Sequence, residues 1–220
     1  MTTHLITPTL LDKLEFAKNA PPSWKERAEA GFIQTIRREY GKMPEWVQWG
    51  NAFEDEVQKF AQIAEFEGLK EVTEGSKHFN KIATACIGGK FQQVCKKELQ
   101  IGEYNVVFYG KMDVEFDDRI YDIKTTINYK GEQKYKKGWQ HRLYPYLTGK
   151  TFFKYLVAEW AGEDRKELVD TYEIPIEHSE SDMRYIGAQL SQAVHDLVAY
   201  LHDNDLYQDY LFTFSNNRTR

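Results

Sequence analysis

The stretch from residue 110 to residue 126 constrains the fold of this chain more than any other. Apolar and polar residues alternate on both sides of Asp117-Asp118, which is the period of two half-buried strands. The alternation predicts a β-hairpin with these two residues as its loop, and in that register Asp113 lies opposite Asp122. One face would carry Met112, Val114, Phe116, Tyr121 and Ile123, and the other Lys111, Asp113, Glu115, Asp122 and Lys124.

The polar face of this hairpin allows two interpretations. Carboxylates directly opposite each other repel, because their Cβ atoms are only about 4.5–5.5 Å apart, and a bound divalent cation would make their proximity favourable. Asp122 and Lys124 share a face, so an ammonium also lies beside the acids. That set of groups can hold Mg²⁺ and position a water against a phosphate. The alternative is the ordinary solvated face of an amphipathic sheet.

Size and composition bound the class of protein. The chain has 220 residues, enough for one large domain or a core with an added lobe. Its hydrophobic content of 41% with 15% aromatic residues indicates a globular fold. No apolar run approaches the ~18 residues of a membrane span, and the N-terminus lacks the pattern of a signal peptide. Cys86 and Cys95 are too few for a disulfide framework or a four-cysteine iron–sulfur cluster, so a cytoplasmic location is expected.

Charge restricts how the chain would bind nucleic acid. A net charge of −5 argues against a general basic coat, so any DNA contact must be local. The densest basic stretch follows the predicted hairpin, although lysines in such a position are also typical of plain solvated surface. It comprises Lys130, Lys134, Lys136, Lys137 and Arg142.

Helical periodicity predicts the elements around the hairpin. A helix beginning near Pro44 would bury an apolar stripe and carry Glu54 on the edge of that stripe. Earlier helices are predicted after Thr7-Pro8 and from a capping box at Ser23 to a stop at Gly41. The predicted stripe consists of Trp46, Trp49, Phe53, Val57, Phe60 and Ala64. Later elements are a helix over residues 79–86, strands over 91–101, 104–108, 152–160 and 168–176, and a helix over 181–202.

These motifs together resemble the PD-(D/E)XK nuclease superfamily, in its RecB-like and phage-exonuclease branch. The matching segments are Gly50-x-x-x-Glu54 on a helix, Gly110-x-x-Asp113 and Asp122-x-Lys124 on the hairpin, and Gln140-x-x-x-Tyr144 on a following helix. Met112 stands where the eponymous Pro would be. Glu54 can also be a surface acid, and the Gln140 helix an ordinary amphipathic one. Pro145 predicts a kink or stop directly after the last motif.

The resemblance implies an α/β fold of the restriction-endonuclease type, a central mixed β-sheet flanked by helices. Residues 46–220 would form the nuclease core with a C-terminal helix, and residues 1–45 an added N-terminal helical lobe. The implied function is Mg²⁺-dependent hydrolysis of DNA phosphodiester bonds by an exonuclease of phage or recombination type. An endonuclease of the same fold, structure-specific or non-specific, and a non-cleaving nucleic-acid-binding module are the alternatives.

The resemblance also assigns roles to residues. Glu54, Asp113 and Asp122 would ligate Mg²⁺, for which Mn²⁺ substitutes, together with the carbonyl of Ile123. Lys124 would orient the water or hold the attacked phosphate, and Gln140 would act beside them. The basic stretch would contact DNA, with Trp139 or Tyr144 as a stacking platform. A single-strand annealing or recombination protein is a conceivable partner, an oligomer is allowed, and a phage-encoded chain would act in the host cytoplasm.

Overall fold

A mixed β-sheet forms the centre of the molecule. The structure is a computed structural model that describes residues 2–39, 41–161 and 167–215. The described strands are β1 (Thr3–Ile6), β2 (Lys90–Ile101), β3 (Tyr104–Glu115), β4 (Arg119–Thr126), β5 (Phe152–Ala161) and β6 (Glu167–Glu177). They are ordered β1-β3-β4-β5-β6, and β2 also pairs with β3. The pairs β1–β3 and β4–β5 are parallel and the others antiparallel.

Helices connect and cover these strands. The described helices are α1 (Pro8–Asn19), α2 (Lys25–Arg37), α3 (Glu45–Phe66), α4 (Lys77–Ala85), α5 (Gln133–Lys136), α6 (Gln140–Thr148), α7 (Glu180–Asp203) and α8 (Tyr207–Ser215). The parallel pair β4–β5 needs a crossover, which α5 and α6 provide. Among the residues described, no helix is long and apolar enough to span a membrane.

The two faces of the sheet are covered by different helices. Leu156 of β5 packs with α3 and α4, whereas its neighbours Tyr155 and Val157 belong to the cluster that contains Tyr144 of α6. Successive residues of a strand point to opposite faces, so α3 and α4 lie on one side and α6 on the other. The α/β architecture predicted from the sequence, a mixed sheet flanked by helices, is therefore confirmed.

Residues 1–45 contribute to the sheet as well as to helices. They form α1 and α2, but residues 3–6 also form β1, which the sequence analysis missed. Leu10 and Phe32, one from each of these helices, share a hydrophobic cluster with Leu197 of α7. The predicted start of α1 is confirmed, because Thr7 Oγ1 accepts a hydrogen bond from Leu10 N at 3.2 Å. A domain boundary at residue 45 stays a prediction.

Several predicted helix ends and faces were wrong. Ser23 lies in a 3-10 turn and does not cap α2, which ends at Arg37 because Arg38 adopts a left-handed conformation (φ 51°). Tyr40, the predicted end of that helix, lies outside the described residues. Trp46 was predicted to be buried but is 60% exposed, since the buried residues of α3 begin only at Gly50. Pro145 lies inside α6, which continues to Thr148.

The predicted hairpin register is confirmed at its closed end. Val114 pairs with Tyr121 and Glu115 with Ile120, and Phe116 N donates to Arg119 O at 2.9 Å. Beyond these pairs the two strands diverge. Met112 was predicted on the same face as Val114 but packs in the other cluster, with Ile120 and Tyr155. The change of face coincides with an irregularity in the pairing of β2 with β3. Asp113 and Gln92 lie opposite each other but do not pair, and Gln92 has a φ of 55°.

Candidate active site

A gap in one edge of β3 creates the candidate site. On the edge facing away from β2, β3 pairs with β1 through residues 105–108 and with β4 through residues 114 and 115. Residues 109–113 between these contacts have no strand partner on that edge within the described chain. A backbone group left unpaired in a buried position is costly, so side chains take over. Asp113 Oδ2 accepts from Ile123 N at 2.8 Å, and Tyr144 Oη donates to Lys111 O at 3.1 Å.

Gly110 lets α6 approach this gap. A Cβ atom at position 110 would overlap Cε1 of Tyr144 and lie 3.0 Å from its Cδ1. Glycine is therefore required here by the aromatic ring that fills the gap. Because Tyr144 and Gln140 are one helical turn apart, seating the ring also fixes where Gln140 projects. The Gly110 and Tyr144 positions of the two sequence motifs thus meet in space.

Asp122 is the most deeply buried charged group of the site. Its exposed fraction is 0%, and its Oδ1 accepts a hydrogen bond from Gln140 Nε2 at 2.8 Å. Lys124 Nζ lies 2.5 Å from Oδ2 as an ion pair, yet the direction of this contact leaves Oδ2 without a well-formed hydrogen bond. Lys124 keeps 32% of its side-chain exposure and therefore connects the buried acid with solvent.

Glu54 reaches the same cluster from α3, which lies on the opposite side of the sheet from α6. On α3, a Cβ atom at Gly50 would lie 3.1 Å from Thr125 Oγ1, so this small residue lets the helix approach the end of β4 closely. Burial, with the neighbouring charge of Asp113 adding to it, raises the pKa of Glu54 to about 8. Glu54 is therefore near enough to feel the charges of Asp113, Lys124 and Asp122, and Gln140 contacts Asp122 directly.

The acids of the cluster lack enough positive charge. Burial raises the pKa of Asp122 to about 7 and also raises the pKa of Asp113, although Lys124 acts against both shifts. Burial alone would lower the pKa of Lys124, but the attraction of Asp122 and Asp113 outweighs it and raises that pKa. Lys124 is the ammonium that acts on all three carboxyl groups, and Lys111 acts on Asp113 as well. An additional cation would lower their free energy in the ionised form.

The oxygen atoms of the acidic cluster suit a hard divalent cation in their chemistry but not in their present arrangement. Within the described residues, no group of three His, Cys, Asp or Glu side chains is arranged closely enough to hold a metal ion as it stands. Carboxylate and carbonyl oxygens are nevertheless the ligands that Mg²⁺ uses. Asp122 Oδ2 is buried with Lys124 as its charged neighbour, and the surplus of acids favours a cation. The residues fit Mg²⁺ in chemistry, and closing the site on it requires Lys124 to move away from Oδ2.

A polar cleft leads away from Lys124. It has a volume of about 620 Å³ and lies between α1 and the chain segment that contains α5 and the start of α6. Three residues of the predicted basic stretch, Lys134, Lys137 and Arg142, line it together with Lys124 and Gln140. Lys130 and Lys136 do not line it. Lys136 is instead paired with Glu132 at 2.5 Å.

The predicted stacking platform is wrong in this structure. Trp139 is 3% and Tyr144 4% exposed, so neither ring offers a face to a base. Trp139 packs in the cluster formed with α1 and α7, and the Arg142 guanidinium lies 5.1 Å from its ring centroid. Both rings are buried by packing against other elements. The helical pattern of the sequence alone did not show whether they would be buried or exposed.

Sequence reasoning also missed Asp12 of α1. Its Oδ1 accepts a hydrogen bond from Trp139 N at 2.9 Å, and the residue lines the polar cleft beside Lys124. Burial raises the pKa of Asp12 to about 6, while the bond from Trp139 N opposes that rise. No local signal marks this residue, because its partner lies 127 positions away in the chain. Helix α1 therefore forms one wall of the polar cleft.

Comparisons with known proteins bear on the fold. No family model matches this sequence, and no curated protein sequence does either. Solved structures do match: the protein SSO0001 has a TM-score of 0.50 and 13% identity over 90% of this chain and 76% of its own. An alkaline exonuclease from Laribacter hongkongensis has a TM-score of 0.50 and 13% identity over 91% of both chains. With its mixed sheet, flanking helices and motif order, the chain has a PD-(D/E)XK nuclease-like fold.

Proposed function

We propose that this protein is a divalent-metal-dependent deoxyribonuclease that degrades DNA from its ends. The observation that carries the proposal is the convergence of Glu54, Asp113 and Asp122 with Lys124 at the gap in β3. Like charges in such proximity raise each other's pKa and destabilise the fold. An acidic cluster beside a lysine suits metal-assisted phosphodiester hydrolysis, and a purely structural sheet has no need of it.

The residues of the site have separable roles in this proposal. Gln140 holds Asp122 Oδ1 in place through its 2.8 Å hydrogen bond, so that Oδ2 faces Lys124. Asp113 is held beside Asp122, because its Oδ2 accepts a hydrogen bond from Ile123 N. Lys124, partly exposed at the mouth of the polar cleft, is placed to contact the attacked phosphate or the attacking water. Its charge would stabilise the negative charge that grows on the phosphate.

The same residues would hold the metal. Asp113 Oδ1, Asp122 Oδ2 and the Glu54 carboxylate are the proposed side-chain ligands, and the carbonyl of Ile123 is the proposed backbone ligand. Mg²⁺, or Mn²⁺ in its place, would lower the pKa of a water and offset charge on the phosphate. When Lys124 leaves Oδ2, its ammonium becomes free for the phosphate, so metal binding and phosphate contact support each other.

Two observations favour attack at DNA ends. The basic residues that line the cleft are confined to its walls and do not form the long stripe that grips a duplex along its length. The structurally similar protein from Laribacter hongkongensis is named an alkaline exonuclease. A cleft that has α1 as one wall suits a strand entering by its end.

Digestion of linear and circular DNA tests the proposal. The purified protein with Mg²⁺ is incubated with a covalently closed circle and with the same DNA linearised. We expect the linear form to be degraded and the circle to persist. Prompt nicking of the circle would replace the exonuclease assignment with an endonuclease, and intact DNA in both samples would remove the nuclease assignment.

A substitution identifies the site responsible. Lys124→Ala should abolish cleavage and retain most DNA affinity, because Lys124 acts on the water and the transition state. Lys90→Ala is the matched control, since Lys90 is 69% exposed on β2 and lies outside the cluster. Near-normal turnover of the Lys124 variant would mean that the Asp122-x-Lys124 motif is accidental.

A further inference from the structure

A second cleft, different in chemistry, lies on the other side of Thr125. It has a volume of about 600 Å³, within the range of small-molecule sites. Its walls are largely aromatic, unlike the basic walls of the polar cleft. The lining residues used below are Trp46, Trp49, Phe53, Thr125, Thr126 and Trp160.

This aromatic cleft adjoins the candidate active site. Thr125 lines both clefts and directly follows Lys124 in β4. On the helical side, Phe53 lines the aromatic cleft and its neighbour Glu54 belongs to the acidic cluster. The same two elements, α3 and β4, therefore form the aromatic cleft and present the acids.

The aromatic cleft is lined by two rings packed against each other, Phe53 and Trp160, and by an exposed ring, Trp46. Phe53 and Trp160 meet edge to face, with ring centroids 5.5 Å apart and planes at 90°, and Phe53 is 4% exposed. Trp46 is 60% exposed at the beginning of α3. A large aromatic side chain held in solvent beside a cleft loses favourable burial, and a planar apolar ligand would restore it.

We propose that the aromatic cleft binds one nucleobase of the strand whose phosphate lies at Lys124. This inference rests on the proposed nuclease function and adds a substrate class, DNA with at least one unpaired nucleotide next to the scissile position. A basic groove for the backbone beside aromatic side chains for the bases is how proteins bind single strands without sequence preference. The basic cleft would take the phosphates and the aromatic cleft the base, with Thr125 between them.

Base pairing opposes occupancy of the aromatic cleft. A base can enter only after it leaves its stack and its partner, at a free-energy cost of a few kcal/mol that is smallest for an unpaired nucleotide. Recessed or frayed ends should therefore bind more tightly than blunt ends of the same length. Trp46 would act through binding, and the acids and Lys124 through chemistry.

The test removes either the ring or the base. Binding of a fluorescent single-stranded oligonucleotide is measured in EDTA, where no cleavage occurs, next to a series in which one nucleotide at a time is abasic. The variants are Trp46→Ala, Trp46→Phe and the control Phe66→Ala, which removes a 92% exposed ring at the other end of α3. We expect Trp46→Ala to weaken binding of the intact strand about 5- to 150-fold, the range of one lost stacking contact.

The abasic series distinguishes stacking from other causes. At one position, the abasic strand should bind wild type and Trp46→Ala equally, and Trp46→Phe should recover most of the affinity for the intact strand. An equal loss on intact and abasic strands at every position, or no loss at all, would overturn the inference while cleavage of linear DNA by the wild type still supports the nuclease. Failure of the wild type to cleave DNA would instead remove the proposed function.

Discussion

Adding a single methyl group at Gly110 should misplace α6 and thereby the candidate active site. The Cβ atom of Gly110→Ala would overlap Cε1 of Tyr144, whose ring is 4% exposed and hydrogen-bonded to Lys111 O. The ring cannot yield toward solvent, so either β3 or α6 must shift. Overpacking of this kind costs about 1–3 kcal/mol. For a chain of this length, 2 kcal/mol corresponds to a melting temperature lower by about 4–8 °C.

A second residue shows whether the ring is the cause. In a Tyr144→Ala background the new methyl group has space, so Gly110→Ala should then cost little. The double-mutant cycle should give a coupling energy of at least 1 kcal/mol, which is typical of residues in contact. Gly31→Ala is the control. A Cβ there meets only Lys13 Nζ at 3.9 Å, and alanine in place of glycine within α2 should stabilise by up to about 1 kcal/mol.

Urea unfolding and cleavage of linear DNA are the assays. Because Gln140 is on the same helix as Tyr144, a shift of α6 by about 1 Å would break its contact with Asp122 and can lower turnover about 100-fold. Activity of Gly110→Ala should therefore fall by more than its unfolded fraction explains. Additive effects of the two substitutions, or full activity of Gly110→Ala, would refute the argument that this close approach positions the site.

Three further outcomes are expected. Mn²⁺ or Mg²⁺ should raise the melting temperature of the wild type, and Asp122→Asn should largely abolish that rise; an unchanged shift would exclude Asp122 as a ligand. In EDTA, Glu54→Gln should stabilise the protein at pH 8 by about 1–3 kcal/mol. The reason is that the raised pKa of Glu54, about 8, makes the stability of the wild type fall as the pH rises from 4.5 to 8. Glu56→Gln, on the same helix, should have no such effect, and equal effects of the two substitutions would refute this account. Replacing Lys134 or Lys137 by Ala should reduce the salt slope of DNA binding by about 0.7–0.9 each, measured by titration at several salt concentrations; an unaltered slope would return them to plain surface.

The sequence predicted those parts of the site that depend on local pattern. Alternation identified the hairpin loop, and the spacing of Asp122 and Lys124 placed them on one face, as observed. Packing between distant segments was not predictable in this way. The segment 3–6 is too short to be recognised as a strand from its own pattern. Its partner in β3 lies about 100 residues away, so the neighbouring sequence gives no sign of the pairing. The burial of Tyr144 depends on Gly110 in another element, and the exposure of Trp46 depends on which turns of α3 are covered by other elements.

The location of β1 has a consequence for the order of folding. Tyr210 Oη donates to Leu5 O at 2.8 Å, and His4 Nε2 lies 3.0 Å from Tyr207 Oη, so α8 fastens β1 across more than 200 residues. Contacts between residues so far apart in sequence form slowly, because the chain loses much conformational entropy before these contacts stabilise it. A ribosome-bound chain lacking residues 207–215 would hold β1 only through its pairing with β3. This edge of the sheet should therefore be completed late, after Asp113 and Asp122 have come together on β3 and β4.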